Sequence, residues 1–188
     1  MKILGISGSL RRDSYNTMLL HEVADLLPDD VELELYDGLK AIPPYDQDDD
    51  VEPAPATVAD LRNAIAEADA VLFATPEYNG SIPGALKNAL DWASRPAGKS
   101  ALRGKPVAVV GATPGMFGAV WAQADLRRVL QTIGANVVDR ELPVMQVDKR
   151  FGPDGRLIDI ELRDGIAAHV DALLDAAREP AEELAAAA

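Results

Sequence analysis

The sequence predicts an α/β fold, a three-layer α/β/α sandwich about a five-stranded parallel sheet with strand order 2-1-3-4-5. Three observations carry that expectation. Residues 3–6, 70–74 and 107–110 are short apolar runs without charge, each followed at once by Ser, Thr or Gly. Strands buried on both faces read this way, which places all three in the middle of a parallel sheet. The stretch Val31-Glu32-Leu33-Glu34-Leu35-Tyr36 alternates instead, as an edge strand with one wet face does. Helical periodicity fills the gaps, giving a βαβαβαβαβα order with crossovers long enough for right-handed parallel units.

Taken in order, the first strand runs into Ser7-Gly8-Ser9, and residues 14–27 form a helix with Met18, Leu19, Val23 and Leu26 on one stripe. The alternating strand follows. Residues 43–55 carry Asp46, Asp48, Asp49, Asp50 and Glu52. Their spacing imitates a calcium loop but puts Val51 where the sixth position needs glycine and Thr57 where the twelfth needs glutamate. A solvated acidic loop is expected there. Residues 58–67 form a helix with Leu61 and Ile65 inward. After the third strand, Ser81 is expected to cap a helix holding Pro83 in its first turn, and Asp91 and Arg95 to make a local surface ion pair. The fourth strand leads to a helix over 119–133, with Val129, Leu130 and Ile133 inward and Gly134 as its stop. A fifth strand lies within 136–138, continuing near 144–147, and residues 162–177 form the last helix. With the amphipathic strand second, at an edge, this is the flavodoxin-like arrangement. Residues 1–178 read as a single domain and 179–188 as an Ala/Glu-rich tail that frays. His21 and His169, in helices away from the loops, are expected to serve surface or boundary packing. Trp92 and Trp121 are expected in the core or at a subunit interface.

Composition narrows the chemistry. The 188 residues hold 18 Lys+Arg against 31 Asp+Glu, a net charge of −13 that argues against nucleic acid or an anionic membrane as a partner. An apolar fraction of 48% suffices for a core. The absence of cysteine removes disulfides, thiolate metal sites and cysteine nucleophiles, so redox chemistry would need a borrowed cofactor. The amino-terminal residues turn polar by Ser7, without the apolar run of a signal peptide. A cytoplasmic protein is expected.

In an open doubly wound sheet, ligands bind beyond the carboxyl ends of the strands where the strand order reverses. Three loops fall there. The first contains Ser9, Arg11, Ser14 and Asn16 and enters a helix. Hydroxyls, free N–H groups, the positive end of a helix dipole and a fixed guanidinium make it an anion cradle. It is neither a Walker A loop nor a dinucleotide fingerprint. The second, Thr75-Pro76-Glu77-Tyr78-Asn79-Gly80-Ser81-Ile82-Pro83-Gly84, is a rigid turn presenting main-chain groups and one aromatic face, suited to a planar heteroaromatic ligand. The third is Gly111-Ala112-Thr113-Pro114-Gly115-Met116-Phe117-Gly118. Each alone could be an ordinary connection; all three after adjacent central strands point to one site.

The run Gly8-Ser9-Leu10-Arg11 with Ser14 and Asn16, followed by 76–92 (Pro76-Glu77-Tyr78-Asn79-Gly80-Ser81-Ile82-Pro83-Gly84-Ala85-Leu86-Lys87-Asn88-Ala89-Leu90-Asp91-Trp92), resembles the NADPH-dependent FMN reductase family. That family includes chromate- and quinone-reducing flavoproteins. The resemblance implies FMN as cofactor and NADPH or NADH as co-substrate. It places Ser9, Arg11, Ser14 and Asn16 on the FMN phosphate, and Pro76, Glu77, Tyr78 and Asn79 beside the ribityl chain and ring. It also places Thr113 and Gly115 near the flavin. Trp121 stands where similar sequences tend to carry arginine, and Met116-Phe117 is bulkier and more apolar than that pattern. The implied activity is ping-pong hydride transfer from NAD(P)H to flavin N5 and on to quinones, free flavin or other small-molecule acceptors. No side chain is a catalyst in that scheme, because the flavin carries the chemistry. Main-chain N–H groups of the second loop would stabilise charge on the reduced ring. A homodimer or homotetramer is also implied.

Two other functions fit the fold. A flavodoxin-type FMN electron carrier would also be acidic, but carriers favour a Thr/Gly/Asn-rich phosphate loop, and Arg11 with the Tyr78-Asn79-Gly80 turn resembles the reductases. A receiver-type signalling domain needs clustered acidic residues after the first strand, where Ser7-Gly8-Ser9 stands instead.

Overall fold

The computed structural model describes residues 1–179. Residues 180–188 of the expected tail lie outside the described residues. The strands are β1 (Lys2–Ser7), β2 (Glu32–Tyr36), β3 (Ala70–Thr75), β4 (Pro106–Ala112), β5 (Asn136–Val137) and β6 (Pro143–Val144). The α-helices are α1 (Tyr15–Ala24), α2 (Ala56–Glu67), α3 (Gly84–Ala93), α4 (Val120–Ile133) and α5 (Ile160–Arg178). All strand pairings are parallel, in the order β2-β1-β3-β4-β5, with β6 also paired to β4.

Alternation along each central strand divides the core into two layers. Ile3, Leu72 and Val110 belong to one layer, covered by Leu19 and Leu20 of α1 and by Val170 and Leu173 of α5. Leu4, Phe73 and Val109 belong to the other, covered by Leu61 of α2, Leu86 and Leu90 of α3 and Leu126 of α4. Strand β2, at the edge, buries no residue fully, in accord with its alternating sequence.

Several local expectations need correction. The fifth strand is split into β5 and β6, each two residues long and both against β4. Arg127 accounts for the break. Its guanidinium donates to the carbonyls of Val138 and Arg140, 2.9 Å each, and to the Asp139 carboxylate at 2.6 Å. It thereby takes acceptors that a continuous ladder would have used. Ser81 does not cap α3, which starts at Gly84 behind Pro83. Asp91 pairs with Lys87 at 2.6 Å, and Arg95 reaches Asp50 at 2.8 Å instead. The acidic loop is not wholly solvated, because Asp50 is held between Arg95 and Arg62 (2.9 Å) with its side chain only 10% exposed. Arg95, then Arg62, holds its carboxyl below the usual range. His169 is not at a boundary: it is fully buried, and Trp92 is a core residue whose Nε1 donates to the Pro43 carbonyl at 2.9 Å.

Candidate active site

The three predicted loops converge at the carboxyl ends of β1, β3 and β4 around a cleft of about 380 Å³. Ser9, Arg11, Ser14, Asn16, Pro76, Glu77, Tyr78 and Thr113 all line it. Asn79 and Gly115 do not; each acts on the shape of its loop. Tyr15, Ala112 and Pro114 complete the lining. Sequence reasoning passed over these three, and their only signal was adjacency to residues already chosen.

The first wall grows from the start of α1. Ser14 takes the N-cap position with extended backbone, and its hydroxyl accepts from the Thr17 N–H at 3.5 Å. The N–H groups of Tyr15 and Asn16, in the first helical turn, have no partner among the described residues. They are donors at the positive end of a helix dipole, beside a cleft. Arg11 is exposed, with its guanidinium carbon 5.6 Å from the centroid of the Tyr15 ring, within cation–π range. The turn is fixed locally: Ser9 Oγ accepts from Arg11 N at 3.4 Å, and Thr17 Oγ1 donates to Ser7 Oγ at 2.9 Å.

Asn16 is committed elsewhere than expected. Its buried amide donates from Nδ2 to the Ala112 carbonyl at 3.1 Å, while Oδ1 accepts from the Ala112 N–H at 3.0 Å. The side chain therefore ties α1 to the end of β4, and its main-chain N–H is what it offers the cleft.

The second loop is a two-residue hairpin. Asn79 and Gly80 both have positive φ, 55° and 75°, and Tyr78 and Ser81 exchange main-chain hydrogen bonds of 2.9 and 3.2 Å. This is the geometry that an Asn-Gly pair favours. The N–H groups of Glu77 and Asn79 are without partners among the described residues. Tyr78 is 51% exposed. The Glu77 carboxylate reaches across to α4, where one oxygen accepts from the N–H groups of Trp121 and Ala122, 3.1 Å each. A carboxylate is favoured there by the helix dipole and satisfies two otherwise orphaned donors. The Ser81 hydroxyl donates to Asp125 of the same helix at 2.7 Å. This bond, with a further one from Arg128, holds the Asp125 carboxyl below its ordinary value. The hairpin is thus fastened to α4 at two points.

In the third loop Thr113 Oγ1 accepts from the Gly115 N–H at 3.2 Å, and the Gly115 carbonyl accepts from Gln146 N at 3.0 Å. Arg11 and Glu77 are the charged residues among those lining the cleft. With Glu77 occupied by α4, the free charge at the cleft is positive.

The model of the NADPH-dependent FMN reductase family matches residues 1–148. The chain is 42% identical over 174 residues to an NAD(P)H-dependent FMN reductase of Pseudomonas aeruginosa, covering 92% of this chain and 93% of that protein. It is 38% identical over 172 residues to a 2-hydroxy-1,4-benzoquinone reductase of a Burkholderia species, covering 91% and 93%. Its fold superposes with a TM-score of 0.82 on FerB, a flavoenzyme NAD(P)H:(acceptor) oxidoreductase of Paracoccus denitrificans. That pair is 36% identical, with 94% of this chain and 96% of that chain covered. On the match of the family model and these identities, the chain belongs to the NADPH-dependent FMN reductase family.

Proposed function

We propose that the protein is an FMN-dependent NAD(P)H oxidoreductase that reduces quinones and related small acceptors. One observation carries the reading: the loops after β1, β3 and β4 close on one cleft that offers anion donors on one wall and unpaired main-chain donors on another. Its volume lies within the range of small-molecule sites. The residues present fit FMN. Ser9, Ser14, the N–H groups of Tyr15 and Asn16, and Arg11 would hold the phosphate. Pro76, Glu77, Tyr78 and Thr113 would bound the rest of the cofactor, with Asn79 and Gly115 shaping the loops that carry them. When bound, FMN supplies the redox chemistry, in which a quinone, NAD(P)H and a proton become a hydroquinone and NAD(P)⁺.

The chain's own part is binding and electrostatics. Glu77 presents an N–H group fixed by the hairpin, so that negative charge developing on a ligand would meet a donor needing no reorganisation. Tyr78 would cover one side of a bound ring. No acid–base side chain is assigned.

The test is spectroscopic. The purified protein should carry, or take up, a yellow flavin that bleaches on anaerobic addition of NADPH or NADH and recovers with a quinone. Parallel double-reciprocal lines should follow if donor and acceptor react in turn. Flavin that binds but is not reduced by either nucleotide, and accepts electrons from a partner reductase, would make the protein a carrier. Failure to bind FMN would sink both readings.

The same reading includes self-association and a cytoplasmic setting, where NAD(P)H is regenerated. What supports self-association is a groove of about 520 Å³ between α3 and α4, lined by Lys87, Asp91, Arg95, Arg103 and Arg128 with Val129 and Ile133. Light scattering decides between monomer, dimer and tetramer.

A further inference from the structure

The loop after β4 carries an arrangement that neither the phosphate cradle nor the sheet's packing requires. Phe117 and Trp121 are 62% and 50% exposed, and their rings lie 4.9 Å apart, tilted by 57°. Met116 is exposed as well, and so is Tyr78, which lines the cleft. Large apolar side chains left adjoining in water mark a binding surface more often than scattered ones do.

This surface is held in place. Gly118 has φ 58°, and a Cβ there would lie 2.7 Å from the Pro143 carbonyl carbon. Ala119 follows in the same left-handed region at φ 57°, a strain that non-glycine residues keep where surrounding structure enforces it. Gln123 Nε2 donates to the Gly118 carbonyl at 2.8 Å, Gln146 Nε2 lies 2.8 Å from the Met116 sulfur, and Glu77 accepts from the Trp121 N–H. Glu77, which lines the cleft, accepts from the Trp121 N–H, so the helix turn that carries Trp121 is fastened to the cleft's rim.

The segment that carries the rings is itself uncharged. Residues 111–122 contain no ionisable side chain. Asp125, one turn further on, is engaged by Ser81 and Arg128. The chain's net charge of −13 disfavours anions in general. A planar aromatic acceptor gains ring contact here, whereas a small oxyanion gains nothing from the rings that replaces its hydration.

We propose that Phe117 and Trp121, with Met116 and Tyr78, form an acceptor-selecting wall that favours uncharged planar quinones over anionic acceptors. This rests on the oxidoreductase reading above. The selected reaction is reduction of a quinone by hydride and a proton to the hydroquinone, with NAD(P)H as the reductant.

Two measurements test it. In ping-pong turnover, kcat/KM for the acceptor reports only the half-reaction that consumes it. For 2-methyl-1,4-naphthoquinone it should fall about tenfold in Phe117→Ala and in Trp121→Ala, while that for ferricyanide stays within about twofold. Trp121→Arg should raise the ferricyanide value. The second measurement needs no turnover. Trp92 is buried and Trp121 exposed, so the part of the quenching by an added quinone that Trp121→Phe removes reports on Trp121. In the purified protein, with and without added FMN, quenching by the methylnaphthoquinone should saturate. The matched 1,4-naphthoquinone-2-sulfonate should need at least about tenfold more, and Phe117→Ala should weaken the uncharged ligand alone.

Equal losses on both acceptors, an unchanged ratio, or equal quenching by the sulfonate would overturn the proposal. So would a variant that dissociates an oligomer with its acceptor ratio intact, since the wall would then be a subunit contact. Absence of flavin reduction would instead defeat the functional reading, and the quenching titration would still judge the wall.

Discussion

Asn16 illustrates how one side chain can be read for the wrong task. Its position beside Ser14 suits a phosphate contact, yet its amide can donate to the C=O and accept from the N–H of a single residue. Ala112 is that residue, 96 positions away. Asn16→Asp keeps the acceptor and turns the donor into a second oxygen facing the Ala112 carbonyl. Thermal or urea unfolding should show a loss of about 2–3 kcal/mol, with FMN affinity falling as α1 and β4 lose register. Arg11 is the opposite case, exposed and without a hydrogen-bond partner for its guanidinium among the described residues. Arg11→Ala should leave the unfolding of the flavin-free protein unchanged. Fluorescence titration should find FMN bound about 10- to 100-fold more weakly, the worth of one charge-assisted contact, with Arg11→Lys recovering part of it. An unchanged Kd would remove Arg11 from the phosphate site.

At the scale of elements, the connection to follow is Glu77 between the Asn-Gly hairpin and α4. Helix α4 begins with Ala119 in a left-handed conformation and no side chain of its own at the cap, so its first donors depend on a carboxylate from another loop. Glu77→Ala should cost about 1–2 kcal/mol of stability, with Glu77→Gln losing less because an acceptor oxygen remains. Hydrogen exchange at the Trp121 and Ala122 amides checks the assignment directly, since it should accelerate in Glu77→Ala. The helix itself was plain in the sequence; its cap was not, because a residue 44 positions earlier provides it. The same distinction runs through the molecule. Apolar runs, the alternating edge strand and the loops flanking the strand-order reversal were legible because burial and backbone period are local properties. The split of β5 from β6 by Arg127, the clamp on Asp50 and the tie from Ser81 to Asp125 were not. Each is a polar contact between elements, and periodicity carries no information about partners.

Across the whole molecule the sheet separates two apolar layers, and His169 lies in the wrong solvent for its chemistry. It sits on α5, fully buried in the layer shared with α1. Burial first, and the positive charge of Arg140 next, push its imidazole down from 6.5 to about 4. The unfolded chain therefore binds a proton that the folded protein refuses. Stability from this group is complete above about pH 6.5, declines as the pH falls, and is fully lost only near pH 4, by as much as about 3 kcal/mol. The carboxylates held low by partners, Asp50 by Arg95 and Asp159 by the Leu162 N–H, act in a separate window. Their contribution is present above the ordinary carboxylate value of 3.8 and fades only below it. Urea midpoints between pH 7.5 and 4.5 thus isolate the histidine. They should drop steadily in the native protein and flatten in His169→Leu, which leaves the layer apolar and removes the proton site. A slope that survives the substitution would assign the acid sensitivity to some other group.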